Sequence, residues 1–223
     1  MFSGIVFDCF PITSVQARTD QVTIDVTLDE RIAGDVKLGA SIALDGVCLT
    51  VSAVRGTTVT FDMIGETLRR TTLGDVSVGR RVNVERSLRW GDEIGGHLVS
   101  GHVFGTVEIA HIDEPPNNYV VTFRAPPEWM KYLVTKGFVA LDGASLTVVD
   151  VDRRLGTFTV WLIPETLKRT TFGFKRVGDR VNVEFEYTTQ IVVDTVERLA
   201  RDGSWAIASP ANSAASPPPP ISG

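Results

Sequence analysis

The sequence predicts an all-β protein that consists of two similar small closed barrels in tandem, followed by one C-terminal α-helix. Three observations support this fold class. The chain repeats itself, because GASIALDGVCLTV at residues 39–51 returns as KGFVALDGASLTV at residues 136–148. Short β-rich runs recur at even spacing, which is typical of small barrels without free sheet edges. A long helical pattern occurs once, near the end of the chain, at residues 188–202.

The repeat continues in a second pair of segments. GETLRRTTLGDVSVGRRVNVE at residues 65–85 corresponds to PETLKRTTFGFKRVGDRVNVE at residues 164–184. Matched residues such as Cys48 and Ser145, or Glu66 and Glu165, lie 97 to 99 positions apart. Solenoid units are much shorter, at about 20–50 residues. The sequence therefore predicts a duplicated domain, whose two similar pockets suit a reaction or a binding event with two similar small molecules.

Composition excludes several classes of protein. The 223 residues are 43% hydrophobic and 22% charged, as in an ordinary globular protein, and can form one large or two small domains. The net charge of −5 argues against a nucleic-acid partner. Cys9 and Cys48 alone encode no disulfide framework, which indicates a reducing compartment. The sequence has neither a signal peptide nor an apolar run of about 18 residues, so we expect a soluble cytoplasmic protein without membrane contact.

The predicted strands begin with Gln21–Glu30, where apolar residues alternate along one face. Further short β-rich runs follow, separated by turns that contain glycine. In the first copy they are Ser41–Leu44, Thr50–Val54, Thr57–Met63 and Arg81–Val84. In the second copy they are Tyr119–Phe123, Phe138–Leu141, Leu146–Val151, Thr157–Leu162 and Arg180–Val183.

Three kinds of helical segment are predicted. Each copy has one helical turn in its T-L-[RK]-R-T-T stretch, which we expect to end at Gly74 or Gly173. A second short helix is expected from Pro126 through Leu133, because proline favours a helix start. The C-terminal helix Thr188–Asp202 has no counterpart in the first copy, so it either docks on its own barrels or bundles with copies of itself. The tail 203–223, rich in Ser, Pro and Ala, is predicted to be disordered.

Polar residues that both copies retain are candidate site residues, because packing alone would keep only apolar character. Two interpretations remain open: these residues cap a turn in each copy, or they bind a polar heterocycle in each pocket. The pairs are Thr50 and Thr147, Glu66 and Glu165, and Thr67 and Thr166.

One position that differs between the copies is also informative. Cys48 corresponds to Ser145, and both lie in the frame DG-x-[CS]-LTV. A single cysteine is most often a small buried hydrophobe, but a serine at the matched site seeks a hydrogen-bond partner. Both groups are therefore candidate donors or weak nucleophiles that face a ligand.

The three histidines of the chain are candidates for different roles. His97 and His102 are five residues apart, which fits neither a helical metal pair nor one face of a strand, so no metal site is predicted. A structural role is favoured for His97. His102, at the start of the second copy, is the better candidate for proton transfer. His111 is expected in a solvent-exposed loop.

Together, these motifs resemble the riboflavin synthase family over about residues 1–202. The segments are MFSGIV, LDGVCLTV, GETLRRTTLG, VNVERS, GDEIGGHLVSGH, KGFVALDGASLTV, IPETLKRTTFG and QIVVDTVERL. The resemblance implies six strands in each barrel, one lumazine bound to each barrel, and a helix that holds a homotrimer. The corresponding domains are residues 1–97 and 98–187 for the barrels, 188–202 for the trimerisation helix and 203–223 for the tail.

The implied reaction is a dismutation without cofactor or metal. Two molecules of 6,7-dimethyl-8-ribityllumazine exchange a four-carbon unit and give riboflavin and 5-amino-6-ribitylaminouracil. In the family the working site forms between the first barrel of one subunit and the second barrel of its neighbour. In the family, a lumazine synthase shell is a further candidate partner.

The resemblance also implies site residues. His102 is expected to carry the proton, Ser145 and Thr147 to orient the substrate, and Cys48 to assist the acceptor molecule. The first pocket would use Gly4, Ile5, Val6, Cys48, Leu49, Thr50, Asp62, Met63, Ile64, Gly65, Glu66, Thr67, Gly101, His102 and Val103. The second would use Lys136, Ser145, Leu146, Thr147, Leu162, Ile163, Pro164, Glu165 and Thr166, with Glu186 nearby.

Two residues depart from the family pattern. Phe104 stands where many members have an aspartate, and Glu186 replaces an aspartate, which lengthens the side chain by one methylene. The rival hypothesis is a lumazine protein, which shares the fold but binds the chromophore without catalysis. Because such relatives tend to lose polar ligands in the second copy, the presence of Lys136, Ser145 and Thr147 favours an enzyme.

Overall fold

The computed structural model describes residues 1–203, in which twelve strands form two closed six-stranded antiparallel barrels. The predicted fold class is confirmed. Apart from Gly203, the predicted disordered tail lies outside the described residues. The first barrel closes in the order β1 (Asp8–Arg18), β2 (Gln21–Thr27), β5 (Thr58–Ile64), β4 (Val47–Arg55), β3 (Ser41–Leu44) and β6 (Arg81–Arg86). The second closes in the same order with β7 (Gly105–Asp113), β8 (Val120–Arg124), β11 (Thr157–Trp161), β10 (Ala144–Asp152), β9 (Phe138–Leu141) and β12 (Arg180–Phe185).

The first strand of each barrel, β1 and β7, was absent from the prediction. In β1, Pro11 interrupts the pattern, and the register shifts between Ile12 and Ser14, so simple alternation is lost. In β7, Val107 and Ile109 do alternate into the core, and this signal was overlooked. His111 lies in this strand and not in a loop, although its side chain is exposed as expected.

Short helices connect the strands. They are α1 (Glu30–Ala33), α2 (Gly65–Arg70), α3 (Pro164–Arg169) and the long α4 (Tyr187–Arg201), with 3-10 turns at Thr72–Asp75, Pro127–Tyr132 and Thr171–Gly173. The helix predicted from Pro126 is thus a 3-10 turn. Gly74 and Gly173 do not end α2 and α3, because these helices stop at Arg70 and Arg169. The next threonine ends each one: the Thr71 hydroxyl donates to the Thr67 carbonyl and accepts from the Leu73 N–H.

The N-terminal segments of the two repeats are exchanged between the barrels. Residues 4–6 reach the second barrel, where the Gly4 carbonyl accepts from the Ser145 N–H at 2.8 Å and Val6 joins the apolar core. Residues 101–103 reach the first barrel, where the Gly101 carbonyl accepts from the Cys48 N–H at 2.9 Å and Val103 packs on the core. The start of the first repeat therefore completes the second barrel, and the start of the second repeat completes the first barrel.

Two buried glutamates of the repeated VN-x-E motif hold these segments. Glu85 accepts hydrogen bonds from the backbone N–H groups of Ser3 and Gly4 at 2.7 and 3.1 Å. Glu184 accepts in the same way from Ser100 and Gly101 at 2.7 and 3.0 Å. Retention of this glutamate in both copies thus follows from the exchanged segments.

The repeated LDG and VN motifs meet where the barrels touch. Asn83 donates to the Asp142 carbonyl at 2.8 Å, and Asn182 donates to the Asp45 carbonyl at 2.8 Å. A Cβ added at Gly46 would lie 2.7 Å from the backbone nitrogen of Gly143, so the close approach of the two turns requires glycine. The centre is polar and buried, and it contains two carboxylates.

These carboxylates give the free energy of unfolding a pH dependence. Burial, together with the neighbouring Asp142 carboxylate, raises the pKa of Asp45 from 3.8 to about 7, although Arg80 lies 3.3 Å away. Because the native state then binds the proton more tightly than the unfolded chain, stability is highest below the unfolded pKa and falls as the pH rises towards about 7.

We expect Asp45→Asn to reduce this fall in the free energy of unfolding by about 2–4 kcal/mol, because the amide does not titrate. Guanidinium denaturation at a series of pH values between about 4 and 8 measures it. Asp113→Asn, at an exposed aspartate of β7, is the control and should follow the wild type. Parallel curves for wild type and Asp45→Asn would contradict the prediction.

The sequence left two arrangements open for helix α4, docking on its own barrels or bundling with copies of itself, and the structure has features of both. One side docks on the Pro127–Tyr132 turn, where Lys131 contacts Glu197 at 2.6 Å and the Tyr132 hydroxyl donates to Asp194 at 2.6 Å. The other side leaves apolar residues at helical spacing exposed: Tyr187, Ile191, Val192 and Val196. Docking on its own barrel therefore leaves an apolar stripe uncovered.

Candidate functional site

A cavity of about 440 Å³ lies on the outer side of the second barrel, beside the exchanged segment of residues 4–7. Its volume lies within the range of small-molecule sites. Eight predicted site residues line it: Gly4, Ile5, Val6, Ser145, Leu146, Ile163, Glu165 and Thr166. Sequence reasoning missed four more lining residues, namely Phe7, Ala144, Arg169 and Thr170.

Ser145 is held firmly at this cavity. It lies on β10 between two buried residues, Ala144 and Leu146, so its side chain points outward. Its hydroxyl oxygen is 2.7 Å from Nδ1 of His97. A Cβ added at Gly4 or at Gly96 would lie 2.5 or 2.6 Å from the Ser145 Cβ, so both glycines permit the close packing around it.

His97 is the partner of Ser145, although the sequence favoured a structural role for it. Its ring is nearly buried and stacks on Phe138, with centroids 5.2 Å apart and planes inclined by 15°. Burial lowers the pKa of His97, and the charge of Glu186 counteracts this in part. The imidazole is therefore neutral near pH 7, and one of its nitrogens can accept a proton from Ser145.

Thr147 and Lys136 lie farther along the same outer surface. Thr147 is exposed and pairs with Phe138 of β9. The Lys136 N–H donates to the Val148 carbonyl at 2.7 Å, which keeps the lysine next to Thr147 in the strand register. The backbone of Lys136 is left-handed, with φ of 69°, whereas the matched residue of the first copy is Gly39, with φ of 81°. A lysine is thus retained where glycine would be less strained.

We expect Lys136→Gly to raise the free energy of unfolding by up to about 1 kcal/mol. The left-handed backbone costs a residue with a Cβ about 1–2 kcal/mol, and glycine avoids this strain. Glycine also loses more conformational entropy on folding, which offsets part of the gain. The reverse change, Gly39→Lys, should lower it by a similar amount and is the matched control. Denaturant unfolding of both variants measures the effects. A destabilised Lys136→Gly protein would contradict the strain argument.

The first barrel carries the corresponding site around Cys48. The Cys48 side chain is half-buried on β4, and Gly101 packs directly on it, since an added Cβ there would lie 2.5 Å from the Cys48 Cβ. His102 follows Gly101; its side chain is exposed and its N–H donates to the Ser100 hydroxyl at 3.1 Å. Asp62 accepts a hydrogen bond from Thr23 at 2.6 Å, which lowers the pKa of its carboxyl. Cys48 thus contacts the residue that precedes His102, whereas Ser145 contacts His97 directly.

One predicted assignment is wrong. Gly4–Val6 were expected in the first pocket, but the segment exchange places them beside Ser145 at the second. Residues Gly101–Val103 lie against the first barrel through the reciprocal exchange, and their role in a first pocket stays a prediction.

The interpretation of the repeated polar residues as turn caps is also not supported. Thr50 and Thr147 lie inside strands. Glu66 forms an ion pair with Arg70 at 2.9 Å, and Glu165 does so with Arg169 at 2.6 Å, both across one helical turn. Each of these arginines also reaches the residue before the first strand of the other barrel: Arg169 donates to the Phe7 carbonyl and Arg70 to the Phe104 carbonyl.

The two residues that depart from the family pattern have structural roles here. Phe104 packs edge-on against Trp129 and Phe185 in the second barrel. Glu186 caps α4 by accepting from the N–H groups of Thr188 and Thr189 at 2.9 and 2.7 Å. Burial alone would raise the pKa of Glu186, but these hydrogen bonds lower it overall.

A larger opening of about 920 Å³ lies beside β6 and α1, but its arginines are already paired with aspartates, as Arg31 is with Asp29 and Arg86 with Asp35. Across residues 1–203, no three His, Cys, Asp or Glu side chains are grouped so that they could hold a metal ion. None of the helices described is long and apolar enough to cross a membrane.

Comparison with known proteins agrees with this architecture. The family model of the lumazine binding domain matches residues 3–87 and again residues 100–186. A solved structure, LumP complexed with riboflavin, superposes with a TM-score of 0.77 at 23% identity and covers 83% of this chain and 100% of that chain, which shows the shared fold. Two barrels that exchange segments, each formed by one lumazine-binding repeat, define a tandem lumazine-binding protein.

Closer relatives specify the family. Riboflavin synthase of Escherichia coli (strain K12) is 47% identical over 200 residues, which cover 89% of this chain and 93% of that protein. Riboflavin synthase of Chlamydia pneumoniae is 47% identical over 199 residues, which cover 89% and 96%. The chain belongs to the riboflavin synthase family.

Proposed function

We propose that this chain catalyses the dismutation of two molecules of 6,7-dimethyl-8-ribityllumazine to riboflavin and 5-amino-6-ribitylaminouracil, as a transferase that needs no cofactor. The observation that carries the proposal is the 47% identity to a riboflavin synthase over 89% of this chain. It is combined with a Ser–His pair at a cavity of ligand size. Two matched sites in one chain suit a reaction between two identical substrates. Alignment of the reactants can contribute up to about 7–11 kcal/mol to lowering the barrier.

At the second site, Ser145 and His97 handle the proton. The reaction requires that the 7-methyl group of one lumazine loses a proton and that the resulting ring anion is stabilised. The neutral His97 can take a proton through the Ser145 hydroxyl, 2.7 Å away. Thr147 and Lys136, both exposed, supply a hydrogen-bond donor and a positive charge for the anion.

At the first site, we assign His102 to proton transfer and Cys48 to contact with the other lumazine. His102 is exposed within its own chain, so it is accessible to a substrate shared with a second subunit. Anionic Asp62 and exposed Thr50 offer hydrogen-bond acceptors and a donor for the polar ring edge.

A homotrimer is part of the proposal. Ser145 and Cys48 contact different segments of the chain, Gly4 and Gly101, and each site opens outward. A first site of one subunit that faces a second site of its neighbour would bring two lumazines together. The uncovered apolar stripe of α4 supplies a contact surface for such an assembly. We also propose that the enzyme is cytoplasmic, because its two cysteines, Cys9 and Cys48, are free and form no disulfide.

Incubation of the purified protein with the lumazine tests the proposed reaction. The expected result is riboflavin fluorescence together with one equivalent of the released pyrimidine. A tightly bound but unchanged lumazine would contradict the proposal and indicate a carrier of the lumazine-protein type.

We expect His102→Gln to lower kcat more than about tenfold, because the amide cannot transfer a proton. The side chain is exposed, so the melting temperature should stay within a few degrees of the wild type. His111→Gln, at an exposed histidine of β7, is the matched control and should retain full turnover. Normal turnover by His102→Gln would exclude this histidine from the reaction.

A further inference from the structure

One arginine joins helix α3 of the second barrel to the N-terminal part of the chain. The Nε group of Arg169 donates a hydrogen bond to Oε1 of Glu165 at 2.6 Å, one helical turn away. Its Nη1 group donates to the Phe7 carbonyl at 3.3 Å. All three residues line the cavity beside Ser145. The guanidinium of Arg169 is therefore part of the cavity wall and connects two other parts of that wall.

The first barrel has the same link at the matched positions. Arg70 on helix α2 donates to Glu66 at 2.9 Å and to the Phe104 carbonyl at 3.4 Å. In both copies, a glutamate and an arginine four residues apart thus share a short helix with a threonine-rich end. The same three-residue arrangement forms twice, although the strands around it have diverged in sequence. This recurrence indicates a role that the two barrels have in common.

The link in the second barrel is too exposed to be important for the stability of the fold. The side chains of Arg169 and Glu165 are 41% and 57% exposed, and water screens an ion pair of this kind so that it stabilises little. The N–H of Phe7 already donates to the Val84 carbonyl at 2.9 Å, which holds the start of β1 in its own barrel without the arginine. The main effect of the link is therefore on the geometry of the cavity.

Arg169 determines both the charge and the direction of the Glu165 carboxylate. Its hydrogen bond lowers the pKa of Glu165, so the group is ionised near pH 7 and only accepts hydrogen bonds. The bond engages Oε1, and Oε2 can accept from a ligand. Without the arginine, a long exposed side chain would populate several rotamers, and the carboxylate would have no fixed position.

We propose that Arg169 is a positioning residue of the second site: it fixes the Glu165 carboxylate relative to Phe7, so that Oε2 accepts a hydrogen bond from an N–H or O–H group of the bound lumazine. The inference rests on the proposed function, which supplies the lumazine with its pyrimidine N–H and its ribityl hydroxyls. The family resemblance implies Glu165 at this pocket but does not include Arg169. The arginine acts through the glutamate, because its Nε and Nη1 groups already donate to protein oxygens.

The test uses the full chain and a ribityllumazine that carries an oxo group in place of the 7-methyl group. Such a probe binds but cannot lose the methyl proton. In calorimetric titration, Arg169→Ala should weaken one of two binding steps about tenfold and leave the other unchanged. With the natural lumazine, the same change should raise KM about tenfold and alter kcat little. Arg154→Ala, at an exposed arginine in the turn between β10 and β11, is the control and should behave as the wild type.

Two further variants separate positioning from charge and from direct contact. Arg169→Lys keeps the positive charge but lacks the planar fork that reaches two oxygens at once, so its affinity should stay at least about threefold below that of the wild type. Glu165→Gln should weaken the same binding step as Arg169→Ala. Combining the two changes should weaken binding no further than the stronger single change does, because the arginine acts through the glutamate.

The outcomes separate this inference from the proposed function. If the wild type forms riboflavin but Arg169→Ala binds the probe normally, the role of Arg169 is refuted and the enzyme assignment stands. If the wild type binds two probes and the affinity depends on Arg169, but no riboflavin forms, the proposed function fails instead. Independent losses in the double variant, or full affinity in Arg169→Lys, would also overturn the inference. Should Arg169→Ala not fold, the affinity of Arg169→Lys decides.

Discussion

Replacement of Ser145 by alanine is expected to lower kcat at least about a hundredfold while the protein stays folded. The hydroxyl links the lumazine to His97, and proton transfer by a positioned side chain contributes about 10²–10⁴-fold to a rate. The change removes one oxygen from a partly exposed position, so it creates no core cavity. Formation of riboflavin from the lumazine measures kcat, and circular dichroism checks the fold.

The partner histidine sharpens this test. His97→Gln should cause a loss of similar size, and the double variant Ser145→Ala/His97→Gln should be no slower than the worse single variant, because residues that act as a unit are not additive. In the wild type, kcat should fall on the acid side with an apparent pKa below the usual histidine value, as burial lowers the pKa of His97. Ser77→Ala, at an exposed serine remote from both cavities, is the control. Multiplicative losses in the double variant would contradict a Ser145–His97 pair.

Deletion of residues 187–223 is expected to give a folded monomer with at least about a hundredfold lower turnover. The deletion removes the uncovered apolar stripe of α4, while both barrels keep all their strands. Without a neighbouring subunit, no first site faces a second site, and two lumazines cannot be aligned. Sedimentation velocity and the riboflavin assay measure the two effects.

A shorter deletion provides the control for this experiment. Removal of residues 204–223 leaves α4 and should preserve both the assembly and turnover. The monomer should still bind the lumazine at the second barrel, since the cavity beside Ser145 is formed within one chain. A monomer with normal turnover would refute a site shared between subunits.

The fold could be predicted from sequence to the extent that its signals are local. The alternation in Gln21–Thr27 and the duplicated LDG segment each indicate a strand or turn without reference to the rest of the chain. Strand β1 was missed because Pro11 and a register shift break its alternation, and these features depend on its pairing with β2 and β6. The threonine that ends α2 was missed because Gly74 gave a stronger local signal than the Thr71 hydroxyl.

The candidate site could be predicted only in part. Ser145 was found from its difference from Cys48 at the matched position. Its partner His97 was not, because the two lie 48 residues apart and no spacing rule connects them. The repeated Asn83 contacts the other barrel and the repeated Glu85 holds the N-terminal segment, although in sequence such residues look the same as residues that bind a ligand.

The amino-acid sequence by itself determined the duplication, the all-β class and the kind of molecule bound, because internal repeats, alternation and family motifs are properties of contiguous residues. Only the tertiary structure decided that residues 4–6 complete the second barrel and residues 101–103 the first. It also decided that His97 meets Ser145 and that Arg169 reaches Phe7. Such contacts join residues far apart in the chain, and they are selected by the packing and buried hydrogen bonds of the whole fold, which no local pattern records.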